Sequence, residues 1–179
     1  MNAVTPRYHP LSRFLHWFMA LLILGLIAVG VYMHELPDDA PNRLQLYTFH
    51  KTFGVIVFVL VWLRLGWSHI AKPPALPGAL QGWEIALAKI TKLGLYLLMI
   101  ATPFAGYAMS NFADKPVALF GTLQLPALFA PSKEMAEAAG EVHEIFAFTL
   151  LALVVLHVAG ALKHRLFDRA EADVLGRML

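Results

Sequence analysis

The chain has 179 residues, 59% apolar and only 15% charged, with a mean hydropathy of +0.63. Soluble domains carry about 45–50% apolar and about 25% charged residues, so this is the composition of a membrane protein. The absence of cysteine excludes disulfides, cysteine-ligated zinc, iron–sulfur clusters and covalently attached c-type haem, and the net charge of +2 comes from scattered basic residues that membrane topology explains better than nucleic acid does.

Four apolar stretches follow one another, each near the ~20 residues that a helix needs to cross hydrocarbon. The first, residues 14–33, holds no Asp, Glu, Lys or Arg, and His16 is its one basic side chain. Arg7 and Arg13 precede it, as in a signal peptide, but the run is long and its exit Val31-Tyr32-Met33-His34 lacks a small-x-small cleavage pattern, which predicts a retained helix. The second, residues 44–67, carries Lys51 near one end and Arg64 near the other, which must snorkel or face a cofactor. Residues 71–81 (AKPPALPGALQ) are proline-rich and read as a stiff, extended link. The third stretch, 93–113, is free of charge and contains Pro103, which predicts a kink. Residues 116–131 are apolar but broken by Gly121 and Pro126; too short to span, they predict a lid at the outer interface. The fourth stretch is 142–162.

The expected fold is therefore an all-α four-transmembrane-helix bundle, a single membrane domain over residues 1–179. Ten of the 14 Lys and Arg residues fall on the side of the N-terminus, and the positive-inside rule then puts both termini in the cytoplasm. Trp17, Trp62, Trp67, Trp83 and Tyr47 gather towards span ends and read as an aromatic belt against membrane lipid.

Against this frame four histidines stand out. An ionisable group within a bilayer helix is costly and marks function by default. His16 and His157 fall near the cytoplasmic ends of the first and fourth spans, His50 and His143 at the outer starts of the second and fourth. Depth alone sorts them into an inner pair and an outer pair. His143 and His157 are 14 residues apart, which puts them within about 40° on one helix face and roughly 21 Å apart along the axis. Each of the four has a small residue four places on (Ala20, Gly54, Ala147, Ala161), leaving room for a flat group beside its imidazole. Paired imidazoles are axial haem ligands, so the expected cofactors are two haem b groups with all four histidines as ligands to iron. Zinc fits less well, because His143-Glu144 begins an HExxH motif but position 147 is alanine. Arg13, Arg64 and Lys51 are candidate partners of haem propionates, while Lys72 and His164, on the cytoplasmic rim, are candidate contacts of a quinone, which needs a hydrogen-bond donor and a proton route. No catalytic residue is expected, since bis-histidine ligation leaves no open position on iron.

The segments Phe14-Leu15-His16-Trp17, Phe49-His50-Lys51-Thr52-Phe53-Gly54 and Val142-His143-Glu144 with Leu156-His157 resemble the bacterial cytochrome b561 family, as does Tyr96-Leu97-Leu98 followed by Ile100-Ala101, Pro103 and Gly106. The resemblance covers nearly the whole chain. It implies a four-helix, di-haem, multi-pass protein of the bacterial inner membrane, with His16 and His157 on the inner haem and His50 and His143 on the outer. It also implies electron exchange between the ubiquinone pool and a periplasmic donor or acceptor, such as a periplasmic redox protein. Some members are similar to superoxide oxidases, which pass electrons from periplasmic superoxide to ubiquinone; others serve as haem-bearing membrane subunits of larger dehydrogenases. The outer side here carries four basic and eight acidic residues, a balance that does not favour steering an anion. A proton-coupled transporter with a histidine relay is the rival from another class; such a protein is colourless.

Overall fold

The computed structural model describes residues 7–179 and is built on four long helices, α1 (Pro10–Glu35), α2 (Arg43–Ile70), α3 (Gly82–Phe112) and α4 (Lys133–Leu166). All four are long and apolar enough to cross a membrane. They outrun the apolar stretches, α3 by 11 residues at its start and α4 by nine. Helical hydrogen bonding continues wherever a cap permits it, and the polar first turns stay helical outside the hydrocarbon. In α3 the start is a capping box, in which the Gln81 backbone N–H donates to Glu84 Oε2 at 2.9 Å. In α4 Ser132 Oγ accepts from the Met135 N–H. His9 Nδ1 accepts from the Leu11 N–H at 3.2 Å to start α1, with Pro10 in the first turn. Helix α3 runs through Pro103 without interruption.

The helices alternate in direction. Helix α1 packs along α2 and α3 along α4, with a smaller contact between α2 and α3. Helix α4 meets α1 at few positions and makes no close backbone approach to α2. A gap therefore separates α4 from the two helices that carry His16 and His50. Only at mid-height does the bundle close, through a cluster of Met19, Ile23, Val57, Val61, Met99 and Leu150. Ile23, Val57 and Leu150 each lie seven residues from a histidine of their own helix. Seven residues are two helical turns, about 10.5 Å on nearly the same face. The histidine face of each helix thus turns apolar at the centre of the membrane.

Both ends are closed by irregular chain. On the outer side strands β1 (Ala118–Leu119) and β2 (Leu123–Gln124) form an antiparallel hairpin. Its turn places Gly121 at φ 74°, where a Cβ is strained. The Phe120 N–H donates to the buried Thr52 Oγ1 at 3.0 Å, the Leu128 N–H to Asn111 Oδ1 at 2.6 Å, and the Tyr107 hydroxyl to the Pro126 carbonyl. The expected lid is this hairpin, and it rests on the start of α2 beside His50. On the inner side Lys163 joins Glu84 of α3 to Asp168, which also accepts from His164 Nδ1 at 2.6 Å. Beyond them the C-terminal segment folds back over the bundle. Arg177 is buried and donates to the Ala75 carbonyl of the proline-rich link, and Trp17 Nε1 donates to the Met178 carbonyl at 3.0 Å.

Two measurements follow from this packing. Leu150→Ala opens the mid-membrane cluster and costs about 2–5 kcal/mol, read as a lower unfolding temperature in detergent. The second concerns the inner cap. The Lys163 ammonium, followed by His164, holds the Asp168 carboxyl below its usual range. Burial pushes Asp173 up, but the Gly176 N–H and the Arg165 guanidinium outweigh it and leave this carboxyl lowered too. Such groups add stability above the ordinary carboxylate value of about 3.9 and lose it as pH falls through their lowered values. The unfolding temperature is therefore expected to fall below about pH 4, with a shallower fall in Asp168→Asn; equal slopes in the two proteins would contradict the assignment.

Candidate functional site

The gap beside α4 is crossed twice by histidine. Near the inner end the His16 and His157 rings have centroids 6.1 Å apart with planes at 69°. Near the outer end His50 and His143 stand 6.2 Å apart at 78°. A metal held between two imidazoles, with bonds of about 2.0–2.1 Å and about 1.1 Å from nitrogen to ring centre, sets the centroids about 6.2–6.4 Å apart. The outer pair, at 6.2 Å, has this separation and the inner, at 6.1 Å, falls just short of it. They are too far apart for a direct hydrogen bond and too close for an intervening side chain.

The surroundings suit a flat metal cofactor. His157 is exposed although it lies within the length of the bundle, because it faces the gap. At Gly54, one turn from His50, an added Cβ meets no atom within 4 Å. His50 Nδ1 is buried and has no hydrogen-bond partner, a cost that a native interior normally avoids. His143 Nδ1 lies 2.8 Å from the Thr102 carbonyl of α3. A carbonyl only accepts, so Nδ1 carries the proton and the Nε2 lone pair is free for a metal. At the inner pair Arg64 donates to His16 Nδ1 at 3.0 Å and lies over the Tyr96 ring at 5.8 Å. A metal at Nε2 would put a proton on this Nδ1, and Arg64 would then leave His16 and be available at the inner rim to an anion such as a propionate. These residues fit haem.

Residues 7–179 match the family model described as prokaryotic cytochrome b561. The chain belongs to this family. It is similar to cytochrome b561 homolog 2 of Escherichia coli (strain K12), with 33% identity over 174 residues, 97% of this chain and 91% of the relative. It is also similar to cytochrome b561 homolog 1 of the same organism, with 23% identity over 163 residues, 91% of this chain and 92% of that one. The protein is therefore a membrane electron-transfer protein, a multi-pass cytochrome of the bacterial inner membrane, and its family implies b-type haem.

The remaining candidates take different places. Lys51 Nζ donates to the Lys115 carbonyl at 3.1 Å, beside His50 on the outer rim. Arg13 has a buried Nε without a partner. Lys72 is exposed on the proline-rich link, and His164 is bonded to Asp168. Glu84, His164 and Asp168 come close enough to share a cation, but the Lys163 ammonium already binds both carboxylates. Sequence reasoning missed Thr102, Gly30 and Arg177. Gly30 of α1 lies against His50, and Gly106 of α3, noted only within the family pattern, lies against His143. Periodicity within one helix carries no signal for a contact made by another.

Proposed function

We propose that the cytochrome holds two b-type haems, the inner between His16 and His157 and the outer between His50 and His143, and carries electrons between the quinone pool and the periplasmic side. The observation that carries this reading is the pair of imidazole couples at metal-bridging distance, at opposite ends of one bundle. When bound, each haem supplies a one-electron iron couple.

The residues of the chain do the rest. His16 with His157 and His50 with His143 would each hold one iron through two imidazoles, which would leave no open position for oxygen and make outer-sphere electron transfer the chemistry supplied. The mid-membrane cluster around Leu150 keeps water from the space between the two pairs. Helix α4 contributes one histidine to each pair and fixes their separation at about 21 Å between α-carbons. Arg64 and Arg13 at the inner rim and Lys51 at the outer rim offer cations to propionates. Quinone docks at the inner rim, where Lys72 and His164 supply donors and His164, backed by Asp168, moves a proton from the aqueous side.

A second reading is superoxide oxidation at the outer rim. Two superoxide anions would give two dioxygen molecules and two electrons, and one quinone taking those two electrons and two protons would become quinol at the inner rim. Lys51 and Lys115 adjoin one another beside His50, a local cationic spot on an otherwise acidic side. Lys51→Gln then slows superoxide-driven quinone reduction and flattens its dependence on salt, while reduction by dithionite is unchanged.

The di-haem reading is tested by counting haem per chain. Wild type is expected to bind two, and His157→Ala and His50→Ala one each, with different absorption and potential for the haem that remains. Two haems retained in either variant, or a colourless folded protein, overturns it.

A further inference from the structure

We propose that Gly106 and Thr102 of α3, with Gly30 of α1, form the seat that orients the outer pair of histidines, so that α3, which carries none of the four, sets the electronic character of the outer centre. The inference rests on the di-haem reading above.

Three observations on the outer pair converge. The Thr102 carbonyl accepts from His143 Nδ1 at 2.8 Å. One turn along the same helix, a Cβ added at Gly106 would lie 2.9 Å from both Nδ1 and Cε1 of His143. That is closer than real Cβ atoms come, and the obstacle is a ring already tied to a carbonyl rather than the loose end of a chain. Across the bundle, a Cβ at Gly30 would lie 3.3 Å from His50 Cε1. Each imidazole of the outer pair thus leans on a bare backbone. The other described glycines contact no histidine of either pair, so the inner pair has no such seat.

A hydrogen bond from Nδ1–H to a carbonyl makes Nε2 a stronger electron donor and fixes the ring plane. A stronger donor favours the oxidised iron and lowers the potential. Gly106 makes this bond possible by letting the ring reach Thr102. These are positioning residues, since they act on the metal through His143 and His50.

The test uses full-length protein with both haems loaded. Gly106→Ala is expected to push His143 off the Thr102 carbonyl. The outer haem, identified as the component lost in His50→Ala, should then titrate at a higher potential, show an altered low-spin EPR signal, and transfer to a soluble haem acceptor about 10–100-fold more readily. The inner haem should keep its wild-type potential and signal, which also reports that the protein is folded. Gly30→Ala, which would press on the His50 ring at 3.3 Å, should alter the EPR signal of the same haem by reorienting that ring, with a smaller effect on potential because His50 Nδ1 has no hydrogen bond to lose. Gly94→Ala is the packing control: it lies on the same helix, but its Cβ would meet only the Leu153 Cδ1 tip at 2.7 Å, and it should leave both haems unchanged. The inference is overturned if Gly106→Ala and Gly30→Ala leave the outer potential and EPR signal unchanged, if Gly94→Ala shifts them as much, or if both haems shift together. Failure of wild type itself to show two haems would instead overturn the di-haem reading.

Discussion

A neutral imidazole has one nitrogen that donates and one that accepts, and within hydrocarbon both must find partners inside the protein. His143 meets half of this demand with the Thr102 carbonyl, which leaves Nε2 without its partner, and the centroid of its ring lies 6.2 Å from that of His50. His50 Nδ1 meets no partner at all. The bundle therefore carries polar atoms that its own side chains do not satisfy, and they lie where α4 stands away from α1 and α2. A bundle optimised for helix packing alone would close that gap. Those unsatisfied atoms and that spacing suit a flat metal cofactor of the kind the family implies.

The same constraint shapes the rest of the interior. Since the histidine faces of α1, α2 and α4 diverge at both ends, tight packing is concentrated at mid-height in Met19, Ile23, Val57, Val61, Met99 and Leu150. Helix α4 buries only Leu150, midway between its two histidines. The strongest packing thus sits between the two histidine pairs, at the centre of the membrane. The ends are held instead by polar ties, the Thr52–Phe120 bond under the outer hairpin and the Glu84–Lys163–Asp168 bridge at the inner face. Aqueous ends can be fastened by hydrogen bonds whose partners remain hydrated; the centre cannot.

Much of this was legible in the sequence. Span length, the sorting of histidines by depth and the 14-residue spacing in α4 are properties of single helices, and hydropathy and periodicity report single helices well. The lid at 116–131 was visible from its glycine and proline, although its hairpin was not, because two-residue strands leave little alternation to read. What stayed hidden depends on two helices meeting. Gly106 looks like any small residue of a membrane helix until the His143 ring is found against it. Arg177 looked like one more cytoplasmic cation, yet it is buried under the proline-rich link. Its burial follows from the return of the C-terminal chain over the bundle, which no local pattern encodes.

The two histidine pairs also differ in their immediate electrostatics. At the outer pair the nearest polar partner of a ligand ring is a carbonyl, the negative end of a dipole. At the inner pair it is the Arg64 guanidinium, a full positive charge held over Tyr96. In the proposed di-haem arrangement a carbonyl on Nδ1 would favour the oxidised state of a metal at Nε2, while the guanidinium, once turned from His16 to a propionate, would act as half of an ion pair and not as a lone cation at the ligand. Even with identical bis-imidazole ligation the two positions would therefore differ, since only the outer pair has a ligand ring bonded to a backbone carbonyl. A bundle whose helices are related by little more than alternating direction thus differs between its two ends through two side-chain contacts.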